Sequence, residues 1–180
     1  VFNRAEQGYI VGLPVAVLAN ADSITVNGEE IALDDSNNTI GSIIGTDAQT
    51  IVESQIGLYA ACKYVDPSIN ILTGGVGTWT DSAKATEIAL SMYSQGANII
   101  WQNAGNGGKG IFSAAADMGG YSCGWNTDQT TMDPEHILFS VVKSMGKGAG
   151  QWLIDYNESG EFVGGVSSYG YATGGYELVY

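Results

Sequence analysis

The sequence predicts an α/β protein built on parallel sheet flanked by helices. Apolar strand-like runs alternate with runs of helical period, which gives four units in which a strand precedes a helix. Such units produce parallel strands joined by right-handed crossovers. Glycine-rich turns follow two of these strands, at 74–77 and at 104–110. With 180 residues and 44% hydrophobic content, the chain can bury one sizeable core or form two small lobes.

The chain opens on a predicted helix and a predicted hairpin. Residues 5–19 have a helical pattern despite Pro14, and residues 23–33 predict a hairpin around Asn27-Gly28, a strong signal for a tight turn. A short buried strand is predicted over 40–45. Because a doubly wound domain usually begins with a strand, we expect this chain to be the C-terminal part of something longer.

The following elements repeat the strand and helix pattern. They are predicted as a helix over 49–65 ended by Asp66-Pro67, a strand over 69–73, a helix over 81–95, a strand over 98–101, a helix over 109–118, a strand over 121–126 and a long helix from Pro134 towards Leu153. The tail, 160–180, is rich in Gly and Tyr, with β-like runs at 162–166 and 176–180. We expect it to pack back onto neighbouring structure.

Charge and cysteine usage exclude several function classes. The formal net charge is −13, from 19 acidic and 6 basic residues, which argues against binding nucleic acid or an anionic membrane surface. No apolar run approaches the roughly 18 residues that a membrane span needs. Cys62 and Cys123 lack a CxxC pattern, and the chain has a single histidine. We therefore expect both cysteines to be small buried apolar residues, with no metal site and no cofactor.

Five segments follow one another along the chain: Glu6-Gln7-Gly8-Tyr9, Gly77-Thr78-Trp79-Thr80-Asp81, 104–110, Gly124-Trp125-Asn126-Thr127-Asp128-Gln129 and Phe139-Ser140-Val141-Val142-Lys143. In this order they resemble the motifs of the basic membrane protein family. Its members typically show a glycine, an aromatic residue and an aspartate after a strand, then an AGxxGxG turn, a GVDxDQ segment and a TSxxK helix. The resemblance covers nearly the whole chain, with the hairpin near 21–37 as an insertion.

This resemblance implies a fold and a function. Family members are substrate-binding proteins of ABC importers, are often lipoproteins, and in the best understood cases bind purine nucleosides. The implied fold is periplasmic-binding-protein type I-like, with two lobes that close on the ligand. Residues 1–47 and 146–180 would belong to an incomplete lobe one, and 48–145 to lobe two. About a hundred residues would precede this chain and carry the signal and the lipid anchor. Such a protein is not an enzyme, works with a transporter permease, and acts at the extracellular face of the membrane or in the periplasm.

The resemblance also implies a ligand site. Its predicted residues are Trp79, Asp81, Gly105, Gly107, Asn126, Asp128 and Lys143. Trp79 would stack on a base, and Lys143, on a helix, would donate to the polar end of the ligand. The alternatives are structural: Trp79 packs under a loop, Lys143 is a solvated helix lysine, Asp81 caps a helix, and Asp128 is a turn residue.

Asn126 departs from the motif, which has an aspartate at this place. A carboxylate only accepts hydrogen bonds, whereas an amide both donates and accepts and is uncharged. This change, with Trp125 where a small apolar residue is usual, leaves open a sugar-like or other non-nucleoside solute.

Other functions have weaker sequence support. The GNGGKG turn, 105–110, lacks the GxxxxGK[ST] spacing of a phosphate loop. His136 is predicted in the first turn of a helix, and no GxSxG elbow accompanies it. The alternatives kept open are a nucleoside hydrolase with an aspartate cluster and calcium, a sensor fragment without ligand, and self-association of the chain through an exposed sheet edge.

Overall fold

The computed structural model describes residues 1–26, 28–33 and 37–180, excluding the side chain of Val26. Its helices and strands, in chain order, are α1 (Arg4–Ala19), β1 (Ser23–Val26), β2 (Glu29–Ala32), β3 (Thr39–Ile44), α2 (Gln49–Val65), β4 (Asn70–Gly75), α3 (Ser82–Ser94), β5 (Ala97–Asn103), α4 (Gly108–Met118), β6 (Tyr121–Asn126), β7 (Ile137–Lys143), α5 (Met145–Ser159) and β8 (Tyr176–Val179). None of the helices within these ranges is long and apolar enough to cross a bilayer.

The main sheet has six strands in the order β4-β3-β5-β6-β7-β8. Strands β4 to β7 and β3 run parallel, and β8 runs antiparallel to β7. The predicted α/β class with a parallel sheet is therefore confirmed. Strands β1 and β2 form a separate antiparallel pair, as predicted, while Asn27 of the expected turn lies outside the described residues.

Helices cover both faces of this sheet. On one face, α1 and α2 pack against strand residues such as Trp101 and Cys123. On the other face, α3 and α4 pack against Ile43 and Ile100. Neighbouring residues of a strand point to opposite faces, so Ile100 and Trp101 serve different cores although they are adjacent in sequence. Both cysteines are buried and free, as predicted, and burial raises the pKa of Cys62 to about 11.

Helices α1 and α2 touch through glycines. A Cβ atom on Gly57 of α2 would overlap the carbonyl oxygen of Ala5, and a Cβ atom on Gly8 of α1 would overlap that of Ser54. A Cβ atom on Gly12 would lie only 2.6 Å from the Cβ of Ala61. The two backbones therefore approach to a distance that side chains at these positions would prevent. The side chain of Asn3 caps the start of α1 by accepting a hydrogen bond from the Glu6 amide at 3.0 Å.

The long helix predicted from Pro134 towards Leu153 is wrong. The segment contains strand β7 and then helix α5, which begins at Met145. In β7, Phe139 and Val141 are buried on the face of α1, and Ser140 points to the other face, which is the two-residue period of a strand. Pairing with β6 in the sheet makes this segment a strand, although its local pattern favours a helix.

The tail is partly as expected. Residues Tyr176–Val179 form β8, which pairs with β7, so this part of the tail does pack back onto its neighbour. The β-like run at 162–166 is not a strand, and its residues are exposed. In the part of the chain that the structure describes, no strand pairs with the backbone of this run.

The strands of the sheet come from all of the ranges predicted as lobes. Strand β3, within 1–47, lies between β4 and β5 of the range 48–145. Strand β8, within 146–180, extends the same sheet at β7. The division into two lobes stays a prediction.

Candidate functional site

The predicted site residues lie along one edge of the main sheet. Parallel strands end at the same edge, so the loops that follow β3, β4, β5, β6 and β7 meet there. This carboxyl edge is where open α/β sheets bind ligands. We call it the ligand edge.

Trp79 and the glycine turn after β5 form one end of the ligand edge. Gly107 donates its amide hydrogen to the carbonyl oxygen of Trp79 at 2.9 Å. A Cβ atom on Gly105 would lie 3.3 Å from Cε3 of the indole. Gly105 has a φ of +60°, a conformation that glycine adopts without strain. The structure therefore brings Trp79, Gly105 and Gly107 together, as the sequence predicted for a common site.

Gly45, which follows β3, supports the indole and was missed by sequence reasoning. A Cβ atom at this position would overlap the six-membered ring of Trp79. The ring thus occupies the space of the missing side chain at Gly45, yet Trp79 remains 39% exposed. An aromatic surface held in place on one side and open on the other is suited to stacking on a flat ligand.

Asp81 and Asp128 both have local structural roles. Asp81 caps α3 by accepting a hydrogen bond from the Lys84 amide at 2.9 Å. Asp128 lies in the turn after β6, where its Oδ1 accepts hydrogen bonds from the Thr130 hydroxyl at 2.7 Å and the Thr130 amide at 3.0 Å. These bonds, the hydroxyl's first, lower the pKa of Asp128. The capping and turn roles are confirmed, and direct ligand contact by either carboxylate stays a prediction.

Asn126 ends β6 in a left-handed conformation, with a φ of +66°. Its Oδ1 accepts hydrogen bonds from Gln7 Nε2 at 3.1 Å and from Arg4 Nη1 at 3.3 Å. Arg4 Nη1 also donates to Gln7 Oε1 at 2.7 Å. Gln7 is fully buried at the start of α1, so a helix far away in sequence holds the side chain of Asn126. Sequence reasoning missed Arg4, and it used Gln7 only as part of a motif.

Lys143 is the last residue of β7, so its predicted place on a helix is wrong. Its position at the end of a parallel strand still puts it on the ligand edge. The ammonium lies 5.5 Å from the centroid of the Phe2 ring, within the range of a cation–π contact. Loss of hydration lowers the pKa of Lys143, and the positive charge of Arg4 lowers it further.

A network of amides, with Gln102 buried and Gln129 half-buried, braces the ligand edge. Gln129 Oε1 accepts hydrogen bonds from Gln102 Nε2 at 2.7 Å and from the Trp125 amide at 2.8 Å. The backbone N–H of Gln129 donates a hydrogen bond to Ser140 Oγ at 3.0 Å. These bonds join the ends of β5, β6 and β7. A glutamine inside an apolar strand, as at position 102, was the available sequence signal for such a network.

Replacing Gln129 with leucine is expected to lower the free energy of unfolding by about 1–3 kcal/mol, because it leaves the Gln102 amide and the Trp125 amide hydrogen without their acceptor. Urea denaturation measures this loss. The matched control is Gln151→Leu, since Gln151 is exposed on α5 and bonds to Asp155. Equal stability of the two variants would show that the network does not brace the edge.

The groups considered for catalysis lie elsewhere. His136 is not in a helix: it precedes β7, at the opposite edge of the sheet, and its Nδ1 lies 3.0 Å from Asp133 Oδ2. No group of three or more His, Cys, Asp or Glu side chains within the described ranges could hold a metal ion. An apolar cavity of about 590 Å³ also lies away from the ligand edge, and its lining includes Pro14, Leu18, Leu138 and Leu178.

Known proteins resemble this chain in sequence. The profile of a family described as "ABC transporter substrate-binding protein PnrA-like" matches residues 1–179. Basic membrane protein A of Borreliella afzelii is 29% identical over 138 residues, covering 75% of this chain and 42% of that protein. The ABC transporter nucleoside-binding protein BmpA of Lactococcus lactis subsp. cremoris is 28% identical and covers 91% of this chain and 51% of that protein. The chain thus spans about half the length of these relatives.

Solved structures show the same fold. A solute-binding protein of an ABC transporter system from Aeropyrum pernix K1 superposes with a TM-score of 0.79 at 25% identity, over 99% of this chain and 48% of that one. A transcriptional activator of the comK gene from Bacillus halodurans superposes with a TM-score of 0.74 at 22% identity, over 98% of this chain and 55% of that one. The periplasmic-binding-protein type I-like architecture predicted from the sequence is confirmed.

Proposed function

Because this chain belongs to the Bmp family of PnrA-like ABC transporter substrate-binding proteins, we propose that it is the solute-binding part of an ABC importer and that the ligand edge is one wall of its binding cleft. Members of this family bind substrates and are not enzymes. The proposed partners are a small-molecule ligand and a transporter permease, at the extracellular face of the membrane or in the periplasm.

The proposed ligand carries a flat heterocycle, with a purine nucleoside as the leading class. The observation that carries this proposal is the indole of Trp79, which rests on Gly45 beside Gly105 and is 39% exposed at the ligand edge. Stacking on such a surface contributes about 1–3 kcal/mol per base and tolerates any base. The name of the Lactococcus lactis relative, a nucleoside-binding protein, supports the same class.

Polar groups farther along the edge would bind the sugar end of the ligand. Strands β3 and β6 are separated by two strand spacings, about 10 Å, so the Trp79 platform over β3 and Asn126 at the end of β6 are well apart along the ligand edge. Backbone amides of the turn that contains Gly105 and Gly107 lie between them. A ligand with a heterocycle, a sugar and a polar group in this order matches the indole, the backbone amides of the turn and Asn126.

A second lobe would supply the other wall of the cleft. The ranges predicted as lobes, 1–47 with 146–180 and 48–145, all contribute strands to the sheet whose edge forms the first wall. A ligand held by both lobes stabilises the closed arrangement, because it makes its full set of contacts only when they are together. The transporter would recognise that closed arrangement.

Calorimetric titration of the chain with inosine and with ribose tests this proposal. Inosine is expected to bind more tightly than ribose by about tenfold or more, since only inosine offers a base to Trp79. Equal binding of the two compounds, or binding of neither, would contradict a ligand class defined by its heterocycle.

A further inference from the structure

Two cations on the ligand edge have no carboxylate partner among the residues that the structure describes. The chain as a whole has a net charge of −13, yet Arg4 bonds to Asn126 and its positive charge acts on Lys143, which ends the strand beside that of Asn126. Among the residues that the structure describes, the ion pair within 4.0 Å joins His136 to Asp133, at the other edge of the sheet. Both cations are half-buried, where an unpaired charge is unfavourable.

The contacts of these cations are with neutral groups. Arg4 Nη1 donates to Gln7 Oε1 and to Asn126 Oδ1, which leaves the other guanidinium hydrogens available. The ammonium of Lys143 lies over the Phe2 ring. Loss of hydration and the charge of Arg4 both lower the pKa of Lys143, so its surroundings disfavour the charged form of this side chain.

The orientation of the Asn126 amide follows from Arg4. A guanidinium can only donate, so the atom of Gln7 that faces it is the acceptor Oε1, and the Nε2 of Gln7 therefore faces Asn126. The atom of Asn126 that receives the Gln7 and Arg4 hydrogens is then the acceptor Oδ1. The remaining group of this side chain, Nδ2, is a donor.

The result is a cluster of donors that no anionic acceptor faces among the described residues. A carboxylate at position 126 would have balanced both cations, but the chain has an amide there. The guanidinium of Arg4, the Nδ2 of Asn126 and the ammonium of Lys143 can all donate to one group with several anionic oxygens. Hydrogen bonds of this kind, between charged partners, are roughly twice as strong as neutral ones.

We propose that the ligand carries a phosphate monoester and that this group binds between Arg4, Asn126 Nδ2 and Lys143. The proposal rests on the proposed function, because it assigns the ligand end that lies farthest from Trp79. Three separate donor groups match the three terminal oxygens of a phosphate monoester better than the two oxygens of a carboxylate. The ligand class is then a nucleoside monophosphate, with its base on Trp79.

Four compounds separate this inference from the proposed function: inosine, inosine 5′-monophosphate, ribose and ribose 5-phosphate. In calorimetric titrations of the full chain, each phosphorylated compound is expected to bind at least about tenfold more tightly than its neutral counterpart. That preference is expected to weaken as salt is raised. Equal binding of inosine and inosine 5′-monophosphate would overturn the phosphate site.

The four affinities show whether the heterocycle site or the phosphate site is wrong. If ribose 5-phosphate binds as tightly as inosine 5′-monophosphate, the heterocycle contributes nothing and the proposed function fails, while the phosphate site stands. If inosine binds as tightly as its monophosphate, the phosphate site fails and the heterocycle site stands. Absence of binding by all four compounds contradicts both.

The variant Asn126→Asp tests the donor cluster itself. The new carboxylate would pair with Arg4 and repel a phosphate, so the preference for inosine 5′-monophosphate over inosine is expected to fall by at least about tenfold. The matched control, Asn157→Asp, adds the same charge at an exposed position of α5 and is expected to leave the preference unchanged. Thermal unfolding of both variants establishes that they are folded. An unchanged preference in folded Asn126→Asp would overturn the proposal.

Discussion

Replacement of Gly57 by alanine is expected to lower the free energy of unfolding by about 2–3 kcal/mol, although alanine is the better helix former. The added Cβ would overlap the carbonyl oxygen of Ala5. This neighbour is helix backbone, which cannot rotate away as a side chain can, so α1 and α2 must separate. The separation would also loosen the contact of Gly8 with Ser54. Urea denaturation measures the effect.

The control for this substitution is Gly150→Ala in α5. A Cβ atom at Gly150 would meet no atom within 4 Å, so only the helix propensity changes there. The expected result is unchanged or slightly higher stability, by up to about 1 kcal/mol. A Gly57→Ala variant as stable as Gly150→Ala would show that the close approach of α1 and α2 is not needed for the fold.

Replacement of Trp79 by alanine is expected to weaken binding of inosine 5′-monophosphate by about tenfold to a hundredfold, which corresponds to the loss of one stacking contact of about 1–3 kcal/mol. Binding of ribose 5-phosphate is expected to stay the same, because this compound has no base. Titration calorimetry on both ligands measures the two effects together.

Trp152→Ala is a closely matched control. Trp152 is 38% exposed, compared with 39% for Trp79, but it lies on α5 and stacks on Tyr156. The same loss of aromatic surface there is expected to leave both affinities unchanged. If Trp152→Ala weakens binding as much as Trp79→Ala does, the effect is not stacking at the ligand edge.

Local sequence signals predicted most of the layered fold. Helix α2 has the predicted bounds, because Asp66-Pro67 stops the helical pattern. Strand β5 was predicted as buried from its apolar run, and it lies inside the sheet with helices on both faces. The family assignment made from the motifs is also confirmed over residues 1–179.

The wrong prediction concerned the segment after Pro134. Its residues, including Ile137 and Val141, are compatible with a helix or a buried strand when read alone. The place beside β6 selects the strand, and this place is a property of the assembled sheet. Lys143 therefore lies at a strand end and not on the predicted helix. It still lies at the ligand edge, because parallel strands end together.

The candidate site was also predicted only in part. The turn motifs predicted Trp79, Gly105 and Gly107, since glycines after parallel strands mark the edge where ligands bind. The partners of Asn126 could not be predicted from spacing, because Gln7 and Arg4 are 119 and 122 residues away in sequence. Their contact depends on α1 beginning at the same edge at which β6 ends.

The proposed binding of a heterocyclic ligand through Trp79 can be observed directly at its indole. The chain has 4 tryptophans, so its ¹⁵N-labelled form gives a small set of indole N–H signals, which Trp79→Phe and Trp152→Phe variants assign. Titration with inosine 5′-monophosphate is expected to shift the Trp79 signal saturably and to leave that of Trp152 in place. A saturable shift at Trp152 alone, or no shift at Trp79, would contradict binding of the heterocycle on Trp79.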